Sequence, residues 1–177
     1  NKPHLTKAFE NFINSKVNSH DELFILGDFF EQWIGDDNED NFIKGIKNIL
    51  KLKTAEGLKI YFMHGNREFR NLVRNKDWQK DFLSKDLKER KEVAKSLREI
   101  SSLENKTKDE AIMDVNQDEV LRIIENHSID VLIHGHTHRP YIHDENGVPR
   151  MVLGDWGDFL WFIETSKGDL NLVKEKI

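Results

Sequence analysis

Apolar residues recur along this chain with two different periods. Leu5, Ala8, Phe9, Phe12 and Ile13 are spaced three and four apart, which predicts an amphipathic helix over about residues 5–17. Leu23-Phe24-Ile25-Leu26 is instead an unbroken apolar run following Asp21 and Glu22, the pattern of a strand buried on both faces of a parallel sheet. Phe42, Ile43, Ile46, Ile49 and Leu50 return to helical spacing, with Gly57 as the stop, and Leu58 to Met63 form the next strand. Strand, helix and strand in this order predict a right-handed βαβ unit with both strand ends on one sheet edge.

Further along, Trp78, Phe82, Leu83, Leu87, Val93, Ala94, Leu97 and Ile100 recur mostly at helical intervals, so residues 70–112 read as a helical insertion. Val120, Ile123 and Ile124 mark another helix feeding a strand from Ile129 to Ile133. Short strands follow at Tyr141–His143, Met151–Leu153, Phe159–Ile163 and Leu170–Val173, with turns at Asn146-Gly147 and Gly168-Asp169. They are expected to be antiparallel closing strands.

Composition narrows the picture. The 177 residues suit one domain, and 37% hydrophobic with 33% charged residues fits a globular fold. The absence of cysteine excludes disulfides, zinc-thiolate sites and a cysteine nucleophile. A net charge of -5 argues against a nucleic-acid partner. The charge is unevenly spread: from Arg74 to Lys108, 11 Lys or Arg stand against 7 Asp or Glu. A basic helical segment carrying Trp and Phe suits a surface that meets anionic lipid or phosphate, and equally a solvated helix laced with ion pairs.

Candidate chemistry gathers at three strand ends. The first apolar run ends in Gly27-Asp28, the second in His64-Gly65-Asn66-Arg67-Glu68, and the third in His134-Gly135-His136-Thr137-His138-Arg139-Pro140. Open α/β sheets place ligand-binding groups just beyond the carboxyl ends of their strands. If the third block is extended, His136 and His138 face one way and Thr137 the other, and imidazole is a common ligand of first-row metals. Asn66 offers an amide oxygen, and Arg67 a planar fork suited to phosphate. Phe29 and Phe30 would anchor the turn behind Asp28. Most of the acidic run Glu31, Asp36, Asp37, Glu39 and Asp40 reads as a solvated loop.

The series Gly-Asp, Gly-Asn-Arg and Gly-His-Thr-His, in that order, resembles the calcineurin-like metallophosphoesterases. The wording around Phe24–Asp37, His64–Phe69, Ala111–Asn116 and His134–Pro140 is closest to the branch that cleaves the pyrophosphate of UDP-2,3-diacylglucosamine, giving UMP and 2,3-diacylglucosamine 1-phosphate (lipid X) in lipid A biosynthesis. The resemblance implies an α/β fold, a two-layer β-sandwich flanked by helices (αββα), carrying the 70–112 insertion as a lid. It implies two metal ions, usually Mn2+, with Mg2+ or another divalent ion as alternatives. Asp28, Asn66, His136 and His138 would be metal ligands, with Asp28 bridging. Asp28, Asn66, Arg67 and His136 would be catalytic. Asn66, Arg67, Ser101, Asn105, Lys108 and His136 would contact the amphipathic nucleotide-sugar lipid. It further implies a monomer, peripheral on the cytoplasmic face of a bacterial inner membrane.

The sequence departs from that pattern in three places. An Asp-x-His block is expected ahead of Asn1, and a segment with another metal-binding His and an acidic residue between Phe69 and the Trp78 helix; Glu68 stands where the family has Asp. Four of the seven implied metal ligands are therefore present, and the expectation is that these residues are parts of a longer chain joined end to end. Two other readings stay open. One is a metallophosphoesterase acting on another phosphate ester or nucleotide; the other is a metal-poor, non-catalytic scaffold of the same fold.

Overall fold

The structure is a computed structural model and describes residues 2–65, 75–106 and 115–177, the side chains of 101–106 excepted. The chain divides into two compact units, Asn1–Thr107 and Lys108–Ile177.

In the first unit, helix α1 spans Pro3–Ser15. It starts earlier than the apolar spacing suggests because Pro3 fits the first turn, where a missing N–H costs nothing. Ala8, Phe9, Phe12 and Ile13 are its buried face. Strand β1 (Glu22–Leu26) pairs in parallel with β2 (Lys59–Met63), Leu23 opposite Ile60 and Leu26 opposite Met63. Helix α2 (Asn41–Ala55) makes the crossover between them. Its N-terminus is capped by the Asp40 carboxylate, which accepts from the Phe42 N–H at 2.9 Å. Ile13, Ile43, Ile46 and Leu58 are buried in this unit.

Burial of β1 on both faces is not observed. Phe24 is 58% exposed. Among the described residues β1 pairs only with β2, and Phe24 stacks on Tyr61 at 4.7 Å on that face. The opposite face turns toward Phe29, which meets Phe62 and Phe9 edge-on.

The described part of residues 70–112 forms two helices, α3 (Lys76–Ser84) and α4 (Leu87–Lys106), and residues 70–74 and 107–112 of the expected insertion lie outside the described residues. Asn75 caps α3 by accepting from the N–H groups of Asp77 and Trp78. Lys85, with ψ 154°, ends it. Asp86 and Glu89 then form a reciprocal capping box that starts α4: Glu89 N–H donates to Asp86 at 2.8 Å, and Asp86 N–H to Glu89 at 3.3 Å. Buried Ile34 and Phe82 form the local core, packed by Trp78, Leu87, Val93 and Ala94.

In the second unit, α5 (Gln117–His127) starts at the Asn116 cap and ends at left-handed Ser128. Strand β3 is short, Leu132–His134. β4 (Tyr141–Glu145) and β5 (Val148–Val152) form a hairpin across Asn146-Gly147, whose φ values of 56° and 90° match the two left-handed positions of a type I′ turn. β6 (Phe159–Ser166) and β7 (Asp169–Lys176) form a second hairpin. Its turn is Lys167-Gly168, one residue earlier than predicted, because those are the two residues with positive φ.

The expectation of purely antiparallel closing strands also needs correction. β5 lies between β3 and β4 and runs parallel to β3. Val152 is thereby opposite His134, and the Leu153 N–H donates to the His134 carbonyl at 2.8 Å. This pairing seats the histidine block on the exit of β5.

Candidate functional site

At the end of β1 the chain turns through two successive left-handed residues, Gly27 (φ 76°) and Asp28 (φ 47°). An L-residue other than Asn or Asp is strained there. The turn lies directly on the exit of β2. A β-carbon at Gly27 would stand 2.9 Å from the Gly65 Cα, and one at Gly65 would stand 2.1 Å from the Asp28 carboxylate and 2.2 Å from its backbone nitrogen. Glycine is required at both positions for this contact, which sets the Asp28 carboxylate against the residue preceding Asn66. As expected, aromatic rings back the turn: Phe29 meets Phe30 at 4.8 Å, and Phe30 meets Trp33 at 4.9 Å.

The third block is not extended past His134. His136 (φ 73°) and His138 (φ 57°) are both left-handed, and the Thr137 N–H turns back to the Gly135 carbonyl at 2.9 Å. The premise of simple strand alternation is therefore wrong, because Gly135 opens a tight turn. In this turn His136 and His138 are exposed, whereas Thr137 is half-buried with its hydroxyl oxygen fully covered and unpartnered. The Asp155 carboxylate, just beyond β5, lies 3.8 Å from His138 Nδ1.

Asp28, His136 and His138, three of the candidate ligands, thus account for half of the six non-glycine residues with positive φ among those described. Strained backbone of this kind clusters at functional sites. Their donors, one carboxylate and two imidazoles with no thiolate, fit a hard or borderline divalent cation. Among the described residues no three His, Cys, Asp or Glu side chains are grouped so as to hold a metal. Asn66, Arg67 and Lys108 lie outside the described residues. Ser101 and Asn105 are on α4, where the side chains are not described.

The acidic loop after Asp28 is more than a solvated turn. Arg90, only 4% exposed, donates from Nη1 to the Ile34 carbonyl at 2.7 Å and to Asp37 at 2.8 Å, and its Nη2 also meets Asp37. Arg98 pairs with Glu31, and Lys47 donates to the Asp36 carbonyl at 2.6 Å. The Arg90 guanidinium holds the Asp37 carboxyl below its usual range, and Asp37 in turn raises Arg90. Two of the basic residues counted in the insertion thus tie α4 to the loop that leaves β1, while Lys88, Lys91 and Lys95 are exposed.

One group of residues escaped the sequence reading. Arg150 and Glu145, 4% and 5% exposed, form an ion pair at 2.7 Å beside the histidine block. Arg150 holds the Glu145 carboxyl below its ordinary value, helped by Gln117 and opposed by burial. The only available signal was the pairing of an acid and a base across an Asn-Gly hairpin, which is too common to single out.

Comparison with known proteins follows the same motifs. The family model described as calcineurin-like phosphoesterase matches residues 1–140. A UDP-2,3-diacylglucosamine hydrolase of Marinobacter nauticus is 36% identical over 216 aligned positions, covering 94% of this chain and 88% of the relative. Proteins of the same name from Cellvibrio japonicus and Hahella chejuensis are 35% and 34% identical, covering 97% and 99% of this chain and 92% of each relative. An alignment of 216 positions exceeds the 177 residues of this chain, so the Marinobacter protein carries additional residues within the matched span.

Proposed function

Because the chain belongs to the calcineurin-like phosphoesterase family, alongside the UDP-2,3-diacylglucosamine hydrolases, we propose that it hydrolyses the pyrophosphate bond of UDP-2,3-diacylglucosamine to UMP and 2,3-diacylglucosamine 1-phosphate, a step of lipid A synthesis. The single observation that carries this reading is similarity to enzymes of that name over nearly the whole chain. Water adds to one phosphorus, and the bridging oxygen leaves with the other phosphate. The αββα sandwich implied by the family would place the strand-end motifs at one site.

In this reading Asp28, Asn66, His136 and His138 hold divalent metal, Mn2+ by preference, in a two-metal site. When bound, such metals activate the attacking water and offset charge on the phosphate oxygens. The remaining work falls to the chain itself. Asp28 is presented by its glycine-packed turn, and the histidines by the turn after β3. Arg67 supplies a fixed positive fork that neutralises charge developing on phosphate without moving a proton. Asn66, Arg67, His136, Ser101, Asn105 and Lys108 would bind the nucleotide sugar.

Helices α3 and α4 would serve as a lid for the acyl chains. Leu83, Leu97 and Ile100 are exposed apolar side chains there, and exposed Lys88 and Lys91 would face anionic lipid. No described helix is long and apolar enough to cross a membrane, so association with the inner membrane would be peripheral. We take the acting unit to be a monomer.

The test is direct. Purified protein with added Mn2+ is expected to release UMP from UDP-2,3-diacylglucosamine, and chelation to stop it. Turnover of a simple phosphodiester without turnover of this substrate would favour another phosphoesterase, and failure to bind any divalent metal would favour the scaffold.

A further inference from the structure

The buried ion pair in the second unit is the end of a chain of hydrogen bonds that reaches the histidine turn. Gln117, in the first turn of α5, donates to one oxygen of Glu145. The other oxygen accepts from Arg150 Nε at 2.7 Å. Arg150 Nη1 lies 3.2 Å from His134 Nε2, and His134 Nδ1 lies 2.9 Å from the carbonyl oxygen of Gly135.

Guanidinium is a donor only. His134 Nε2 must therefore accept from Arg150, which leaves the ring proton on Nδ1, where it donates to the Gly135 carbonyl. That oxygen also accepts from the Thr137 N–H. Two donors thus pin the peptide plane joining Gly135 to His136, and this plane sets the backbone entry into His136, whose φ of 73° an L-residue rarely adopts unaided.

We infer that Arg150, oriented by Glu145 and Gln117, is a positioning residue for the metal-binding histidine turn: it fixes His134 as the Nδ1–H tautomer, and through the Gly135 carbonyl it holds His136 in place. This rests on the metal reading of His136 given above. His134 itself is excluded as a ligand here, since both ring nitrogens are engaged. The arrangement extends to the backbone a role usually filled by carboxylates that orient a ligating ring directly.

Two measurements test it. Long-range 1H–15N spectra of the full metal-free chain are expected to show His134 with Nδ1 protonated and Nε2 bare; an Nε2-protonated ring would overturn the inference without any variant. Second, Mn2+ affinity is measured by electron paramagnetic resonance of the free ion. Arg150→Met alone would leave Glu145 buried and unpaired, so the double change Arg150→Met with Glu145→Gln is used. It is expected to fold, to lose the single His134 tautomer, and to weaken Mn2+ binding by roughly 10- to 100-fold. Wild-type binding that the double variant retains within twofold would overturn this inference alone. A wild-type chain that binds no Mn2+ would overturn the metal reading and this inference with it.

Discussion

The turn at Gly27-Asp28 and the turn at Gly135–His138 both leave a parallel strand through left-handed residues, and each is held by a different kind of force. The first is held sterically. Two glycines let the exits of β1 and β2 touch, so that a single added methyl at Gly65 would fall 2.1 Å from the Asp28 carboxylate. The second is held by polar contacts, a relay of a buried acid and base and a half-buried imidazole that ends on one carbonyl oxygen. Steric contact does not titrate and is insensitive to salt, yet it has no tolerance for volume. A buried ion network has the opposite character, since its strength depends on the charge state of every member.

This contrast can be broken or sharpened by experiment, taking the largest effect first. Asp28→Ala and His136→Ala each remove a proposed ligand, and activity on UDP-2,3-diacylglucosamine is expected to fall by on the order of a thousandfold. Wild-type turnover by either variant would remove the metal assignment from that strand end.

Gly65→Ala replaces no candidate side chain but displaces Asp28. A loss of about a hundredfold is expected, with the far-ultraviolet dichroism unchanged, because a shift near 1 Å at a reacting centre has that scale. If this variant keeps full activity, the glycine contact does not set the position of Asp28.

The polar turn should be the acid-sensitive one. The folded pKa of Glu145 lies below its ordinary value, so its contribution to stability is present in full above the unfolded carboxylate pKa. That contribution is lost as pH falls through the lower, folded value. Urea unfolding followed between neutral and acid pH is expected to show a shallower acid loss for Arg150→Met/Glu145→Gln than for the wild type. An identical slope would mean that the pair carries no acid dependence.

The smallest effect is expected at the loop following Asp28. Asp37→Asn removes the carboxylate facing Arg90 while the Ile34 carbonyl still accepts one of its bonds. Amide exchange in α4 should quicken by a few-fold, on the scale of one weakened charge-assisted hydrogen bond. Unchanged protection would show that Ile34, Phe82 and their apolar neighbours dock the helix unaided.

Periodicity along the chain was enough to place α1, β1, α2, β2 and the two hairpins near their observed positions, since apolar spacing and Asn-Gly turns are local signals. The strand-end motifs were legible for the same reason: an apolar run that stops at Gly-Asp or Gly-His states where a strand ends. Three features were not legible. Nothing in residues 148–152 announces that β5 runs parallel to β3, because pairing partners are chosen by contacts distant in sequence. The acidic run 31–40 looks solvated until Arg90, more than fifty residues on, is seen to bond Asp37. The histidines looked extended because φ cannot be read from residue type once a glycine intervenes.

The sequence by itself thus picked out the candidate residues for chemistry in this protein: a carboxylate at 28, an amide and a guanidinium at 66 and 67, and imidazoles at 136 and 138. Side-chain identity and strand ends are written locally. The tertiary structure alone decided how Asp28 and His136 are held, because the holding groups come from elsewhere in the chain. Gly65 is brought to Gly27 by the pairing of β1 with β2, and Arg150 to His134 by the pairing of β3 with β5. Backbone strain at Asp28 and His136 is sustained only once those neighbours are in place.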